Sequence, residues 1–150
     1  MKQIIFTNSG FNELKEKLEI IASKRPDAVK TLTRAREMGD LSENGLYKAA
    51  KMELSDIDRQ IRHLKNLLKY GKPFIPENNL IVQIGHKVIV ENVSGKKEYL
   101  IVSEYEADPK QNKISNKSPI GYSLMGRKVG DQISINIPSG IIKYKIISIE

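Results

Sequence analysis

The sequence contains no cysteine and no tryptophan among its 150 residues, and only 6% of them are aromatic. Without cysteine, disulfide bonds and thiolate metal sites are excluded, and a reducing cytoplasm is permitted. No apolar run approaches the roughly 20 residues needed to span a bilayer. The opening stretch MKQIIFTNSG also lacks the apolar core of a signal peptide. We therefore expect a cytoplasmic protein that makes no membrane contact.

Blocks of like charge are also missing, although the formal net charge is +7. Before Gly71 the chain has 14 basic and 10 acidic residues, and from there on it has 11 and 8. This dispersed charge permits an anionic partner such as nucleic acid but does not indicate one by itself. No glycine-rich loop has phosphate-binding spacing, no serine has a plausible triad around it, and His63 and His86 are interpreted as surface histidines. A stand-alone enzyme is therefore not indicated.

The first half of the chain has helical periodicity in two runs. In the first run, from Asn8 to about Met38, the gaps between apolar residues are mostly threes and fours or their multiples, and Asn8 or Ser9 suits the helix start. Pro26 predicts a kink or a short break near Arg25. The apolar positions of this run are Phe11, Leu14, Leu18, Ile21, Val29, Leu32 and Ala35.

The second run resembles a heptad seam, because its apolar residues are separated by three or four positions throughout. It stops before Pro73, where Gly71 suits a helix C-cap. Two helices with a tight break between them predict an antiparallel coiled-coil hairpin with arms of about 40 Å each. The seam positions are Leu46, Ala50, Leu54, Ile57, Ile61, Leu64 and Leu68.

After Gly71 the pattern changes to a β-rich one. PFIPENNL reads as a linker, and the segments HKVIVENV, EYLIVSE, DQISINI and IIKYKIISI are typical of strands. Ser118 and Pro119 suit the first positions of a short helix, and Pro138 to Gly140 predict a hairpin turn. The fold class is therefore α+β, with a helical hairpin domain over residues 1–74 and a β-rich domain over residues 75–150.

The stretch GDLSEN lies at the tip of the predicted hairpin and permits two interpretations. Asp40 can act as the N-cap of the second helix while Glu43, three residues later, closes a capping box. Alternatively, both carboxylates offer oxygen ligands to Mg²⁺. Two carboxylates do not hold Mg²⁺ alone, so a partner would have to complete such a site.

Two separate motifs resemble the bacterial GreA/GreB transcript cleavage factors, and within them the GreA type. AREMGDLSENGLYKAAK matches the tip motif of that family, and EADPKQNKISNKSPIGYSLMGRKVGD matches a second signature in the other half. The resemblance covers nearly the whole chain. It implies a C-terminal domain of FKBP-like fold that binds RNA polymerase at the rim of its secondary channel, and a coiled coil that enters the channel.

The resemblance further implies that the factor stimulates hydrolysis of the extruded RNA 3′ end by a backtracked polymerase, so that elongation resumes. Asp40 and Glu43 fall on the two acidic tip residues, which help to hold a Mg²⁺ ion shared with the polymerase active site. Arg36 and Lys51 correspond to residues that contact the nascent RNA. The implied factor binds no cofactor alone, is not itself an enzyme, and is expected to be a monomer.

Asn44 and Tyr47 match the tip motif as well, and we interpret them as support for the shape of the tip, with Tyr47 packing across the hairpin. The chain departs from the family at Gly45 and Leu46, where alanine and glutamate are usual. A glycine in the first turn loosens a helix by up to about 1 kcal/mol relative to alanine. We therefore expect a less rigid tip than is usual in the family.

Three alternatives stay open at this point. A paralogue that occupies the same channel and inhibits polymerase without cleavage is the nearest, although it would not need both Asp40 and Glu43. A prolyl isomerase would use the FKBP-like fold, but it needs an aromatic-lined pocket, and the last phenylalanine is Phe74. A coiled-coil adaptor would use the acids only as caps.

Overall fold

A computed structural model describes residues 3–39 and 44–150 of the chain. The chain divides into two compact units, Asn12–Gly71 and a second unit made of Met1–Phe11 with Lys72–Glu150. The expected α+β class is confirmed, because an N-terminal helical region is followed by a curled β-sheet domain. The functional division into residues 1–74 and 75–150 stays a prediction. None of the helices in the described ranges has the length and apolarity of a membrane span.

Two long helices run antiparallel and confirm the predicted hairpin: α1 spans Asn8–Arg36 and α2 spans Gly45–Tyr70. The guanidinium of Arg25 pairs with Asp58 at 2.7 Å, whereas Ala35, ten residues further along α1, contacts Asn44 just before α2. Each helix buries a stripe of residues at heptad-like spacing. The buried members are Leu14, Ala28, Ala35, Ala50, Ile57, Leu64 and Leu67.

Of the predicted kink or short break near Arg25, the break is wrong, because α1 continues through Pro26, and the kink stays a prediction. Proline removes one backbone donor and crowds the preceding turn, which kinks or breaks a helix. Here the ion pair between Arg25 and Asp58 lies on one side, and buried Ala28 lies on the other. The seam uses Ala28, which is 4% exposed, where the sequence pattern had selected Val29.

The two ends of α2 also differ from expectation. Leu46 is 63% exposed, so its assignment to the seam is wrong, and the half-buried residue next to it is Tyr47. At the other end Gly71 has φ −86° and ψ 156°, an extended conformation. The helix therefore stops without a left-handed glycine cap, because Gly71 already begins a strand.

The second unit is built on a five-stranded sheet with the order β5-β4-β3-β7-β6, in which only β4 and β5 are parallel. A two-residue turn joins β6 to β7, as predicted, and the helix α3 (Pro119–Leu124) begins at the expected cap Ser118. The strands are β3 (Lys87–Asn92), β4 (Gly95–Val102), β5 (Lys113–Ser115), β6 (Gln132–Ile137) and β7 (Gly140–Ile149).

Two short strands that were not predicted, β1 (Ile4–Thr7) and β2 (Gly71–Phe74), pair with each other in a separate two-stranded sheet. Tyr99 and Tyr144 meet edge to face inside the core of the larger sheet, and burial, with the hydrogen bond to Tyr144, raises the pKa of the Tyr99 hydroxyl. The core consists of Val82, Ile84, Val88, Val90, Tyr99, Ile101, Leu124, Ile133, Ile135, Tyr144, Ile146 and Ile149.

The interpretation of His86 as a surface residue is wrong, since its side chain is only 2% exposed. Its Nδ1 accepts a hydrogen bond from the backbone N–H of Gln83 at 2.9 Å, which leaves Nε2 to donate to the carbonyl of Asn78 at 2.9 Å. The imidazole thus orders the segment that leads into β3. His63 is exposed, as expected.

Candidate functional site

The candidate site is the hairpin tip, which we define as residues 35–51. Asp40 and Glu43, its predicted catalytic and metal-binding residues, lie outside the described residues. The structure describes the chain on both sides of them, up to Gly39 and from Asn44 onward. The site is therefore described through its neighbours, Gly39 before the two acids and Asn44 after them.

Asn44 is the N-cap of α2, with φ −80° and ψ 99°. Its side-chain oxygen accepts a hydrogen bond from the backbone N–H of Tyr47 at 3.1 Å, and its amide nitrogen donates to the carbonyl of Ala35 at 2.7 Å. One side chain thus satisfies a free donor at the start of α2 and binds the last turn of α1. These two hydrogen bonds are how Asn44 would support the shape of the tip, the role predicted for it.

The interpretation of Asp40 as the N-cap of the second helix is wrong, and with it the capping box closed by Glu43. The helix α2 begins at Gly45, and Asn44 is its cap. Asp40 therefore precedes the cap by four residues. The role of the two acids in metal binding stays a prediction.

The last turn of α1 tightens before it ends. The backbone N–H of Met38 donates to the carbonyl of Ala35 at 3.2 Å, an i to i+3 bond typical of a helix terminus. Gly39 follows with φ +113°, a value that L side chains rarely adopt, and nothing lies within 4 Å of the position a Cβ would take. Glycine is needed there for its backbone freedom rather than for space.

Arg36 and Lys51, the predicted RNA-binding residues, are both exposed, one at the end of α1 and the other in the second turn of α2. Neither forms an ion pair with a carboxylate in the part of the chain that the structure describes. Their charges are thus not neutralised by described neighbours. Tyr47 is half-buried, which is consistent with the predicted packing across the hairpin.

A complete metal site is not found in the described residues. No group of three or more His, Cys, Asp or Glu side chains within residues 3–39 and 44–150 is arranged to hold an ion. Asp40 and Glu43 stay the predicted metal ligands.

Sequence reasoning missed two features of the chain that bear on the site. The first is the bond from Asn44 to Ala35, which has no signature in the sequence because it joins different elements. The second is Glu106, whose carboxylate binds Thr7 just before α1 begins. The second motif contains this glutamate, but nothing in the local pattern indicates where its carboxylate goes.

Comparisons with known proteins match both halves of the chain. The family described as "Transcription elongation factor, N-terminal" matches residues 4–72, and that described as "Transcription elongation factor, GreA/GreB, C-term" matches residues 77–150. Transcription elongation factor GreA of Thermoanaerobacter pseudethanolicus is 42% identical over 153 residues, covering 99% of this chain and 98% of that protein. GreA of Clostridium acetobutylicum is 39% identical over 155 residues with the same two coverages.

Among solved structures, the GreA factor homolog 1 (Gfh1) protein of Thermus thermophilus is 27% identical, with a TM-score of 0.48 and 99% coverage of both chains. The match to both family descriptions and the whole-chain identity to the two GreA proteins carry the assignment. This chain belongs to the GreA/GreB family of transcription elongation factors.

Proposed function

We propose that this chain enters the secondary channel of RNA polymerase and stimulates the cleavage of nascent RNA in backtracked complexes. The observation that carries the proposal is the cap geometry of Asn44. It joins the end of α1 to the start of α2, and Asp40 and Glu43 lie between these two helices in the sequence. Two acids at the end of a helical hairpin suit delivery to an active site that another protein supplies.

The two acids fit Mg²⁺ in type but not in number. Carboxylates are the side chains that Mg²⁺ takes, usually one or two of them together with waters and substrate phosphates. Asp40 and Glu43 would hold the ion from one side, and polymerase would supply the remaining ligands, because the described residues offer no further cluster. When bound, the ion would lower the pKa of a water that attacks the phosphodiester.

The extruded RNA would lie along the tip, between the exposed side chains of Arg36 on α1 and Lys51 on α2. Arg36 and Lys51 are both exposed and free of described carboxylates, so their charges are available to phosphate oxygens. Phosphate contacts position a nucleic acid without reading its sequence. This suits a factor that acts on whatever transcript the polymerase has extruded.

The β-rich unit would bind polymerase at the channel rim, and the chain would work as a monomer in the cytoplasm. Cleavage chemistry would belong to polymerase, so the chain is not a stand-alone enzyme. Mg²⁺ usually takes only one or two carboxylates together with other ligands, which suits a site that polymerase completes.

The test uses purified elongation complexes halted in a backtracked state, with Mg²⁺ and each factor variant at saturating concentration. We expect Asp40→Asn and Glu43→Gln to abolish the release of short 3′ RNA fragments, while the affinity for polymerase stays within about twofold of the original. The matched controls are Asp27→Asn and Glu16→Gln, which make the same changes at exposed positions away from the tip. These should cleave like the unmodified factor.

Two results would overturn the proposal. If Asp40→Asn and Glu43→Gln release fragments as fast as the controls do, the acids are not the reactive groups. If the unmodified chain blocks polymerase and releases no fragments, it is instead a channel-occupying inhibitor of the same family.

A further inference from the structure

A carboxylate of the β-rich unit holds the first turn of α1. Oε2 of Glu106 accepts hydrogen bonds from the backbone N–H groups of Thr7 and Ser103, each at 3.1 Å. Oε1 accepts from the hydroxyl of Thr7. The Thr7 hydroxyl oxygen in turn accepts from the backbone N–H of Gly10 at 3.0 Å. Glu106 and the start of α1 are thus joined by one continuous set of hydrogen bonds.

Each partner in this set is restricted by its neighbours. Thr7 is only 7% exposed, so its hydroxyl has little access to water. A Cβ at Gly10 would overlap the Glu106 carboxylate, so glycine permits the close approach. Phe6, which is fully buried, packs between the rings of Phe11 and Tyr105, each with its centroid 6.0 Å away.

The electrostatics favour this arrangement. Thr7 occupies the cap position of α1, where a side-chain oxygen satisfies a free backbone donor. A carboxylate next to a helix N-terminus also interacts favourably with the helix dipole. Hydrogen bonds to an ionised acceptor are stronger than neutral ones. Glu106 therefore fixes the backbone at the point where α1 begins more firmly than a neutral side chain would.

We propose that Glu106, acting through the hydroxyl of Thr7, is a positioning residue for transcript cleavage. The inference rests on the function proposed above. The helix α1 continues without interruption from this turn to Arg36, a length of about 40 Å, so the turn that Glu106 holds belongs to the same helix as the arm that ends at the tip. Reactions that need oriented groups lose about a hundredfold for a misplacement of about 1 Å. Glu106 itself need not touch RNA or metal.

The experiment replaces the hydroxyl while keeping the shape. Thr7→Val removes the donor to Glu106 and the acceptor for Gly10, whereas Thr7→Ser retains both. At saturating factor, we expect Thr7→Val to slow fragment release from backtracked complexes at least about tenfold. Its affinity for polymerase should change by less than about twofold, and Thr7→Ser should restore most of the cleavage rate.

A general loss of stability is distinguished by Ile146→Val, which shortens a fully buried side chain of the β-sheet core. This control should lower the melting temperature without slowing cleavage at saturation. The proposal is wrong if Thr7→Val cleaves at the original rate, if its defect lies only in polymerase affinity, if Thr7→Ser is equally defective, or if Ile146→Val slows cleavage to the same extent. Absence of cleavage with the unmodified factor would instead refute the function on which the proposal rests.

Discussion

The side chain of Asn44 makes two separable contributions to the hairpin tip, and a series of substitutions measures each one. Asn44→Ala removes both the cap to Tyr47 and the bond to Ala35. Loss of an N-cap costs about 1 kcal/mol, and loss of a neutral hydrogen bond costs about 1 kcal/mol as well. The carbonyl of Ala35 keeps its second partner, the N–H of Met38, so no acceptor is left unsatisfied. We therefore expect a total of about 2 kcal/mol.

Asn44→Ser keeps a cap oxygen but does not reach Ala35, so it should lose only about 1 kcal/mol. Asn44→Asp keeps the cap but brings a charged oxygen toward the carbonyl of Ala35. Its deficit should shrink below about pH 4, where the protonated carboxyl becomes a donor. Asn66→Ala, at an exposed position of α2, is the matched control and should be neutral or slightly stabilising.

The assay is urea denaturation of the full chain followed by the helical circular dichroism signal, with the slope on denaturant concentration checked for constancy. Equal stability of Asn44→Ser and the unmodified chain would show that the bond to Ala35 contributes nothing. If Asn44→Ala also matched the unmodified chain, the argument that this residue organises the tip would fail.

Two further predictions concern stability. The Arg25 guanidinium lowers the pKa of Asp58, so the stabilisation from this pair is fully present above the ordinary pKa of 3.8 and is lost as the pH falls through the lowered pKa. The difference in unfolding free energy between the unmodified chain and Asp58→Asn should therefore shrink over that pH range. A difference that does not change with pH would contradict this prediction. Gly45→Ala should stabilise α2 by up to about 1 kcal/mol, because a Cβ there meets open space. Gly121→Ala should cost about 1–3 kcal/mol in the same urea titration, because its Cβ would overlap the carbonyl of Ser115. Equal effects of the two substitutions on the unfolding free energy would refute this prediction.

The helices were predictable because their burial pattern repeats over many residues, whereas the short strands were not. β1 and β2 are four residues each and pair across more than sixty positions of sequence, so neither carries a periodic signal of its own. α1 continues through Pro26, and the ion pair of Arg25 with Asp58 of α2 lies next to that proline. Contacts between distant parts of the chain are not contained in a local pattern.

The sequence predicted which residues form the candidate site, but it did not predict which of them caps α2. Asp40 and Asn44 are equally acceptable as caps by residue type. Asn44 also donates to the carbonyl of Ala35 through its amide nitrogen, a bond that an ionised aspartate cannot make. Glu106 shows the same limit, because its partner Thr7 lies 99 positions away in the sequence.

The ion pair between Arg25 and Asp58 also favours one alignment of the two helices along their length. Arg25 continues the three-and-four spacing of the α1 seam, from Ile21 through Ala28, so a cation stands where an apolar residue would allow several alignments. A slip of α2 by one heptad, about 10 Å, would place Lys51 or Lys65 where Asp58 now stands. Either slip would replace the attraction between opposite charges by repulsion between like charges, so the pair favours the observed register of the two helices.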